Sequence, residues 1–342
     1  MHHLAATGGP LRAAFLERPG DVEVRSADDV EPREGEAVIR VGAVGICGTD
    51  LSIAHGKIPV VYPRILGHEV VGELVDPGGT GLAAGTPVLV DPGLSCGTCV
   101  QCREGRTNIC TDAGLLGRDV DGGLREMLAI ASKHVHAVPT AIEIKVAPLV
   151  QVLATCVHAQ RLMTIAPGQT VAVLGLGVTG LLHVQLAGIR GATVVGITRS
   201  ADKRELAETL GADVTIAADG GEAAAAARAV GDIDVVIECA GLVPTLATAV
   251  EMVRVGGRIL AYGTIGRGAE GSLPYYDLYY KELAIVGARS ALPEDFVDSL
   301  QMVGDGRVQL APLVSHRFPL ERAADAFEAA SGSAALKVLI DV

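Results

Sequence analysis

The sequence predicts an α/β protein with two domains, one β-rich and one built on a doubly wound parallel sheet. Its 342 residues correspond to about two domains at roughly 150 residues each. Short runs of branched apolar residues, broken by Gly or Pro, dominate from residue 11 to about 145. From about 150 onward, apolar strands alternate with helical stretches. The chain is 49% hydrophobic and 20% charged, which excludes disorder and allows a large core.

Strands are predicted first in the N-terminal half, where branched residues gather in short runs. The segment from Gly93 to Thr111 has little apolar periodicity and is predicted to be a loop. The predicted strands are Ala37–Val41, Val70–Val75 and Pro87–Val90.

The second half predicts a parallel sheet, because its strands are apolar on both faces. Helices are expected at Val178–Ile189, Asp202–Leu210 and around Ala223–Ala227, and one or two more after Gly287. The predicted strands are Val171–Leu174, Thr193–Ile197, Asp234–Ile237, Arg258–Ala261, Leu283–Val286 and Lys337–Ile340.

Charge excludes two classes of partner. The net charge is −12, and such a surface repels nucleic-acid phosphates and anionic lipid. No stretch approaches 18 uninterrupted apolar residues, and the N-terminal MHHLAAT lacks the cationic start of a secretory signal. We therefore expect a cytoplasmic protein with no membrane or nucleic-acid partner.

Four of the seven cysteines predict a structural zinc site. Cys96, Cys99, Cys102 and Cys110 have the spacing C-x2-C-x2-C-x7-C, so that four thiolates can surround one ion. Such a site has no open position and orders a loop that lacks its own core. An iron–sulfur cluster and four free thiols are the alternatives.

A second group of residues is suited to a catalytic zinc. Cys47 and the pair His68 and Glu69 offer a thiolate, an imidazole and a carboxylate, which leave a fourth position open. Asp50 is suited to orient His68, and Thr49 to carry a proton. From spacing alone, purely structural roles for these residues are equally open.

A glycine-rich turn predicts a dinucleotide site. Gly175, Leu176, Gly177, Val178 and Gly180 belong to a G-x-G-x-x-G motif that follows a predicted strand and opens a predicted helix. Glycines there permit a tight turn and the close approach of a pyrophosphate to the helix N-terminus. A plain glycine-rich turn is the alternative.

The end of the second strand of this domain favours NADP(H) over NAD(H). Enzymes that bind NAD carry an acidic residue there for the ribose 2′-hydroxyl, whereas Thr198 stands at this position. Arg199, Ser200, Lys203 and Arg204 follow, and Arg199 has the planar fork that binds a 2′-phosphate. The alternative is a solvated Arg199 and NAD bound without its carboxylate.

Together these motifs resemble the zinc-dependent medium-chain alcohol dehydrogenase family, in its sorbitol- and threonine-dehydrogenase-like branch. The resemblance runs from about residue 11 to 342 and rests on GICGTD at 45–50, GHE at 67–69, the cysteine lobe, GLGVTG at 175–180 and ALKVLI near the C-terminus. It implies a GroES-like catalytic domain at 1–148 and 288–342, with the zinc lobe at 93–111, and a Rossmann domain at 149–287.

The resemblance also implies hydride transfer between a zinc-bound alcohol and a nicotinamide, in a homodimer or homotetramer with two zinc ions per chain. It places Cys47, His68 and Glu69 at the catalytic zinc and Thr49 in a proton relay. Thr155 matches a position beside the nicotinamide, and Lys337 matches a basic residue that approaches the pyrophosphate.

Three features depart from the family pattern. Gln151 stands where this branch usually has a zinc-binding glutamate, so Glu69 or the Gln151 oxygen completes the site; Cys156 is another nearby soft donor. Ser52 replaces a relay histidine, which leaves Thr49, cofactor hydroxyls or His55 to release the proton. The loop at Asp76–Gly81 is short.

The substrate is expected to be a small secondary alcohol or ketone, such as a polyol or cyclitol. Four tyrosines at 275–280 are either a cleft or interface patch or packing around a turn. The alternatives to this enzyme are a zinc-independent quinone or enoyl reductase and a non-catalytic relative that binds dinucleotide.

Overall fold

Strands make up most of the first part of the chain in the computed structural model, which describes residues 10–342. Residues 1–9, which include the whole MHHLAAT segment used to exclude a secretory signal, lie outside the described range. The three strands predicted here are confirmed, because each lies within β3, β5 or β6. The elements are β1 (Arg12–Arg18), β2 (Asp21–Ser26), β3 (Glu36–Gly45), α1 (Gly48–Ala54), β4 (Arg64–Ile65), β5 (Glu69–Asp76), β6 (Pro87–Val90), β7 (Gly93–Leu94), α2 (Val100–Arg103), β8 (Gly114–Leu115), β9 (Met127–Ala131) and β10 (Val135–Ala137).

Strands and helices alternate in the second part, as the apolar pattern predicts. Strand β13 was not predicted, since a run of three residues is too short to stand out. The elements are α3 (Leu149–Met163), β11 (Thr170–Leu174), α4 (Val178–Ile189), β12 (Thr193–Ile197), α5 (Ala201–Thr209), β13 (Val214–Ile216), α6 (Gly220–Val230), β14 (Val235–Glu238), α7 (Val243–Met252), β15 (Arg258–Ala261), α8 (Tyr275–Tyr280), β16 (Ala284–Gly287), α9 (Pro293–Gly304), β17 (Val314–Pro319), α10 (Ala323–Ala330) and β18 (Lys337–Asp341).

The chain divides into two units. The β-rich unit comprises the chain up to Val152, Leu292–Asp305 and Leu310–Val342. The parallel-sheet unit comprises Leu153–Ala291 and Gly306–Gln309. Within the range 10–342, no helix is long and apolar enough to cross a membrane.

The parallel-sheet unit has six strands in the order β13-β12-β11-β14-β15-β16, and every neighbouring pair is parallel. This is the doubly wound order, in which successive strands are added first on one side of β11 and then on the other. The predicted fold class is therefore confirmed. Its aliphatic core lies under β11, β12 and β14 and includes Ala172, Val195 and Val236, each with no exposed surface.

The β-rich unit holds a larger sheet in the order β10-β6-β5-β3-β18-β17, with β9 also paired to β3. Strand β3 lies between β5 and β18, so that Gly45 is paired with Glu69 on one side and with Leu339 on the other. This register brings together three segments that are far apart in the sequence: the one after Gly45, the one before Glu69 and the start of β18.

Candidate functional site

The four predicted zinc cysteines lie together on the lobe between β7 and β8. Their sulfur atoms all lie within 4.8 Å of one another. Individual Sγ–Sγ separations are 3.5 Å for Cys96 and Cys110, 3.9 Å for Cys99 and Cys110, and 4.0 Å for Cys96 and Cys102. Thiolates about 2.3 Å from a common tetrahedral zinc lie about 3.8 Å apart, so the cluster has the size that zinc requires.

Backbone N–H groups around the lobe favour the thiolate form of the cysteines. The N–H groups of Thr98 and Cys99 point to the Cys96 sulfur at 3.5 and 3.3 Å, and the Cys102 N–H points to the Cys99 sulfur at 3.5 Å. The N–H groups of Cys102 and Thr111 lower the pKa of Cys99 to about 5. These bonds favour the thiolate form, which binds metal, at Cys96 and Cys99, whereas burial raises the pKa of Cys102 to about 12.

Cys47, His68 and Glu69 also lie together, in the β-rich unit. Cys47 is the residue before α1, and Glu69 opens β5 directly after His68. One ligand atom from each residue lies within 4.8 Å of the other two. His68 is 4% exposed and Glu69 is fully buried, while Cys47 is half-buried, so the group is open on the thiol side.

Asp50 holds this group in place. Its Oδ2 accepts a hydrogen bond from the Cys47 N–H at 2.9 Å, and its Oδ1 accepts one from the Gly67 N–H at 3.2 Å. Oδ1 also lies 3.3 Å from His68 Nδ1, which leaves Nε2 as the nitrogen for a metal. Burial raises the pKa of Asp50, but His68 and the two backbone donors outweigh it, so the net pKa is lowered.

Glu69 is paired with Lys337. The Lys337 ammonium donates to both carboxylate oxygens, at 2.7 and 2.8 Å, and to the Ile46 carbonyl at 3.1 Å. These bonds use its three hydrogens. Glycine is required at position 45, because a Cβ there would lie 2.0 Å from a Glu69 oxygen. Sequence reasoning missed this pair; the assignment of Lys337 to the cofactor pyrophosphate remains a prediction.

Three further predicted residues lie on two helices, α1 and α3. Thr49 and Ser52 are half-buried on α1, and Gln151 is buried on α3. Within the described chain, no side-chain hydrogen bond ties any of the three to Cys47, His68 or Glu69. Their roles remain predictions.

The glycine-rich turn joins β11 to α4. Gly175 has a φ of 92°, and a Cβ on Gly180 would lie 2.0 Å from the Gly175 carbonyl oxygen. A Cβ on Gly177, the residue before α4, would meet nothing within 4 Å. The first and third glycines are thus required by the turn and by helix packing, while the second leaves open space at a helix N-terminus. Leu176 is buried and Val178 opens α4.

The turn after β12 carries the predicted 2′-phosphate residues. Arg204 donates to the carbonyls of Thr198 and Arg199 at 3.0 and 2.9 Å, so its guanidinium braces the turn. Ser200 precedes α5, and Lys203 lies within it. The Arg199 side chain is 82% exposed, and its Nη1 lies 3.5 Å from a carboxylate oxygen of Asp219. Sequence reasoning missed Asp219, an acidic residue that reaches this turn from beyond β13.

Glu238, at the end of β14, is a second residue that sequence reasoning missed. It is fully buried, and Oε1 accepts hydrogen bonds from the N–H groups of Ala240 and Gly241 and from the Thr245 hydroxyl at 2.7–2.9 Å. Cys239, in the same turn, is bonded through its N–H to the Leu174 carbonyl at 2.8 Å. The turn after β14 is therefore fixed beside the glycine-rich turn.

Two protein-family models match the two halves of the chain. Residues 33–140 match the alcohol dehydrogenase GroES-like domain, and residues 178–305 match the zinc-binding dehydrogenase family. L-galactonate-5-dehydrogenase of Escherichia coli K12 is 32% identical, with 93% of this chain and 94% of that protein covered. Sorbitol dehydrogenase of Halalkalibacterium halodurans is 29% identical, with 94% and 96% covered.

The fold comparison agrees with the sequence comparison. A zinc-binding dehydrogenase from Sinorhizobium meliloti 1021, solved with bound NADP, has a TM-score of 0.91 and 33% identity. The match covers 98% of this chain and 100% of that one. The chain is therefore an enzyme of the zinc-dependent medium-chain alcohol dehydrogenase family, in its sorbitol-dehydrogenase-like branch.

Proposed function

We propose that this enzyme interconverts a secondary alcohol and its ketone with NADP(H), on a small polyol, cyclitol or sugar-acid substrate. The observation that carries the proposal is the group formed by Cys47, His68 and Glu69, held by Asp50 and Lys337. Three protein ligands with one open position are the arrangement of a catalytic zinc. The relatives named for galactonate and sorbitol favour a polyhydroxylated substrate.

The predicted site residues have separate roles in this reaction. Cys47 and His68 would hold the catalytic zinc, with Glu69 or Gln151 as the further ligand, and the four lobe cysteines would hold the structural one. Bound zinc supplies a Lewis acid for the substrate oxygen, and bound nicotinamide exchanges a hydride with the substrate carbon. Asp50 fixes the orientation of the His68 ring, and Thr49 takes the alcohol proton at its hydroxyl and passes it toward water.

For the cofactor, we propose NADP(H). The pyrophosphate would lie over Gly177 at the start of α4, and the 2′-phosphate would bind Arg199, with Thr198, Ser200 and Lys203 around it. The highly exposed guanidinium of Arg199 supports this proposal. A phosphate that enters must replace Asp219 as the partner of Arg199, so the preference for NADP(H) is expected to be moderate.

We also propose that the enzyme is a cytoplasmic homo-oligomer. Strand β16 is an edge strand, and α8 beside it exposes Tyr275, Tyr276, Tyr279 and Tyr280 to 65–80%. Exposed apolar clusters next to an unpaired strand edge are typical of subunit interfaces. Light scattering of the wild type and of Tyr279→Arg tests this: a smaller assembly in the variant supports it, and an unchanged mass refutes it.

An oxidation screen over secondary alcohols, polyols and aminocyclitols, with NADP+ and with NAD+, tests the catalytic proposal. Elemental analysis should find two zinc ions per chain. The variant Cys47→Ser should keep one zinc and lose the alcohol-dependent formation of NADPH, whereas Cys239→Ser, a thiol outside both clusters, should keep two. A wild type with one zinc per chain, or an active Cys47→Ser, would overturn the proposal. A higher kcat/KM with NADH would overturn the cofactor assignment alone.

A further inference from the structure

The sheet order shows which strands flank each half of a bound dinucleotide. In a doubly wound sheet the cofactor lies across the carboxyl ends of the strands, with its pyrophosphate at the first strand. Here that strand is β11, and the adenosine ribose belongs to the side of β12. The other half of a bound cofactor would therefore lie on the side of β14, β15 and β16. Tyr262 is the residue that directly follows β15.

The backbone at Tyr262 is held by the neighbouring turn. Its N–H donates to the Glu238 carbonyl at 3.0 Å, and the N–H of Gly263 donates to the same oxygen at 2.8 Å. A Cβ on Gly263 would lie 2.2 Å from the Gly241 nitrogen, so the two turns pack backbone against backbone. The position of the tyrosine ring is thus set by the sheet itself.

The Tyr262 side chain connects this turn to α3. Its hydroxyl lies 2.7 Å from Thr155 Oγ1, and the Cys156 thiol lies 3.5 Å from the same hydroxyl. The ring meets the edge of His183 at a centroid distance of 4.6 Å and an angle of 82°. Burial raises the pKa of Tyr262, which keeps the phenol neutral and able to donate.

His183 is itself held in one orientation. The Gln160 side-chain nitrogen lies 3.2 Å from His183 Nδ1 and donates to the His183 carbonyl at 3.0 Å, and the Gln160 oxygen accepts from Arg190 at 3.0 Å. His183 and Gln160 have no exposed surface. Tyr262 is half-buried, follows the carboxyl end of β15 directly, and packs its ring against this buried network.

We propose that Tyr262 is a positioning residue for the nicotinamide half of the cofactor: its hydroxyl fixes the rotamer of Thr155, and its ring forms part of the wall against which the nicotinamide is seated. The proposal rests on the proposed function, because it needs a nicotinamide at this edge. Tyr262 acts through Thr155 and through shape, so its loss should disturb alignment more than binding. Misplacing reacting groups by about 1 Å can cost up to about 100-fold in rate.

The variant Tyr262→Phe tests this, because it removes the hydroxyl and keeps the ring. We expect kcat to fall about 5- to 20-fold, while the Kd for NADPH, measured by titration calorimetry, changes less than about 3-fold. The primary kinetic isotope effect with deuterated alcohol should rise as hydride transfer becomes slower. Tyr62→Phe, the same change at a half-buried tyrosine packed on the core of the β-rich unit, should leave all three quantities unchanged.

Thr155→Val and the double variant complete the cycle. If Tyr262 acts through Thr155, the double variant should be no slower than the worse single variant. Additive losses, or an unchanged kcat in Tyr262→Phe with thermal stability kept, would overturn the proposal. A proportional loss of kcat and of folded protein would also overturn it, since that is the result of a structural role. Failure of the proposed function is seen separately, as a wild type without alcohol-dependent reduction of NADP+.

Discussion

The ion pair between Lys337 and Glu69 makes a quantitative prediction about stability. The ammonium and the carboxylate have 6% and 0% of their side-chain surface exposed, and they lie 2.7 Å apart. Lys337→Met keeps the length of the side chain and removes its charge. The variant leaves Glu69 as a buried carboxylate without its cation and the Ile46 carbonyl without its donor.

Removing one partner of a buried ion pair costs about 3–5 kcal/mol. For a unit of roughly 150–250 residues, Tm changes by about 2–4 °C for each kcal/mol, so Lys337→Met should lower Tm by about 6–20 °C. The double variant Glu69→Gln with Lys337→Met removes the stranded charge and should recover at least half of this loss. Arg18→Met breaks an exposed pair with Asp21, at 2.9 Å, and should cost at most about 1 kcal/mol.

Differential scanning calorimetry of the four proteins, each saturated with zinc and checked by elemental analysis, measures these differences. A Tm for Lys337→Met within about 2 °C of the wild type would show that water or metal replaces the lysine, and would refute the reasoning. A double variant no more stable than the single one would refute the argument that the stranded carboxylate causes the loss.

Three further predictions concern the cysteine lobe, the cofactor turn and a buried histidine. Cys99→Ser should lose one of two zinc ions and lower Tm, as measured by elemental analysis and calorimetry, with zinc content unchanged in Cys239→Ser. Asp219→Asn should raise kcat/KM for NADPH about 2- to 5-fold and that for NADH less, whereas Asp202→Asn, on the exposed start of α5, should alter neither selectively. Burial lowers the pKa of His183 from 6.5 to about 3. Below about pH 6.5 unfolding therefore takes up a proton, and the free energy of unfolding falls as the pH is lowered. Between about pH 7.5 and 5.5 this loss is about 1.4 kcal/mol, and urea titrations of His183→Gln should show a correspondingly smaller dependence on pH.

Local patterns explain why much of the fold could be predicted. The glycine-rich turn contains its own strand, turn and helix start, and β12 and β15 have the predicted bounds because their apolar runs end at polar or glycine residues. The cysteine lobe is similar, since its four sulfur atoms are close along the chain and need no distant element to bring them together.

Contacts set by strand order could not be predicted. Asp219 reaches Arg199 because β13 and β12 are neighbours, and the short strand β13 gave no signal of its own. Lys337 meets Glu69 because β18 and β5 both pair with β3, a register that only the folded sheet reveals. A lysine in the predicted C-terminal strand was the available signal, but its match to a cofactor-binding position in the family gave no reason to pair it with Glu69.

The missed residues share a physical role. Tyr262 bonds Thr155 and the missed contact of Lys337 is with Glu69, both predicted site residues, while Glu238 fixes the turn beside the glycine-rich turn. Ligands must be of a few chemical types at restricted spacings, so they leave a pattern in the sequence. A residue that holds a ligand in place needs only to contact it. Many donor or acceptor side chains can serve if strand pairing places them there, so such residues leave no sequence pattern. The pairing of β3 with its two neighbours therefore fixes the group around Cys47, and the pairing of β14 with β15 separately fixes the turns of the parallel-sheet unit.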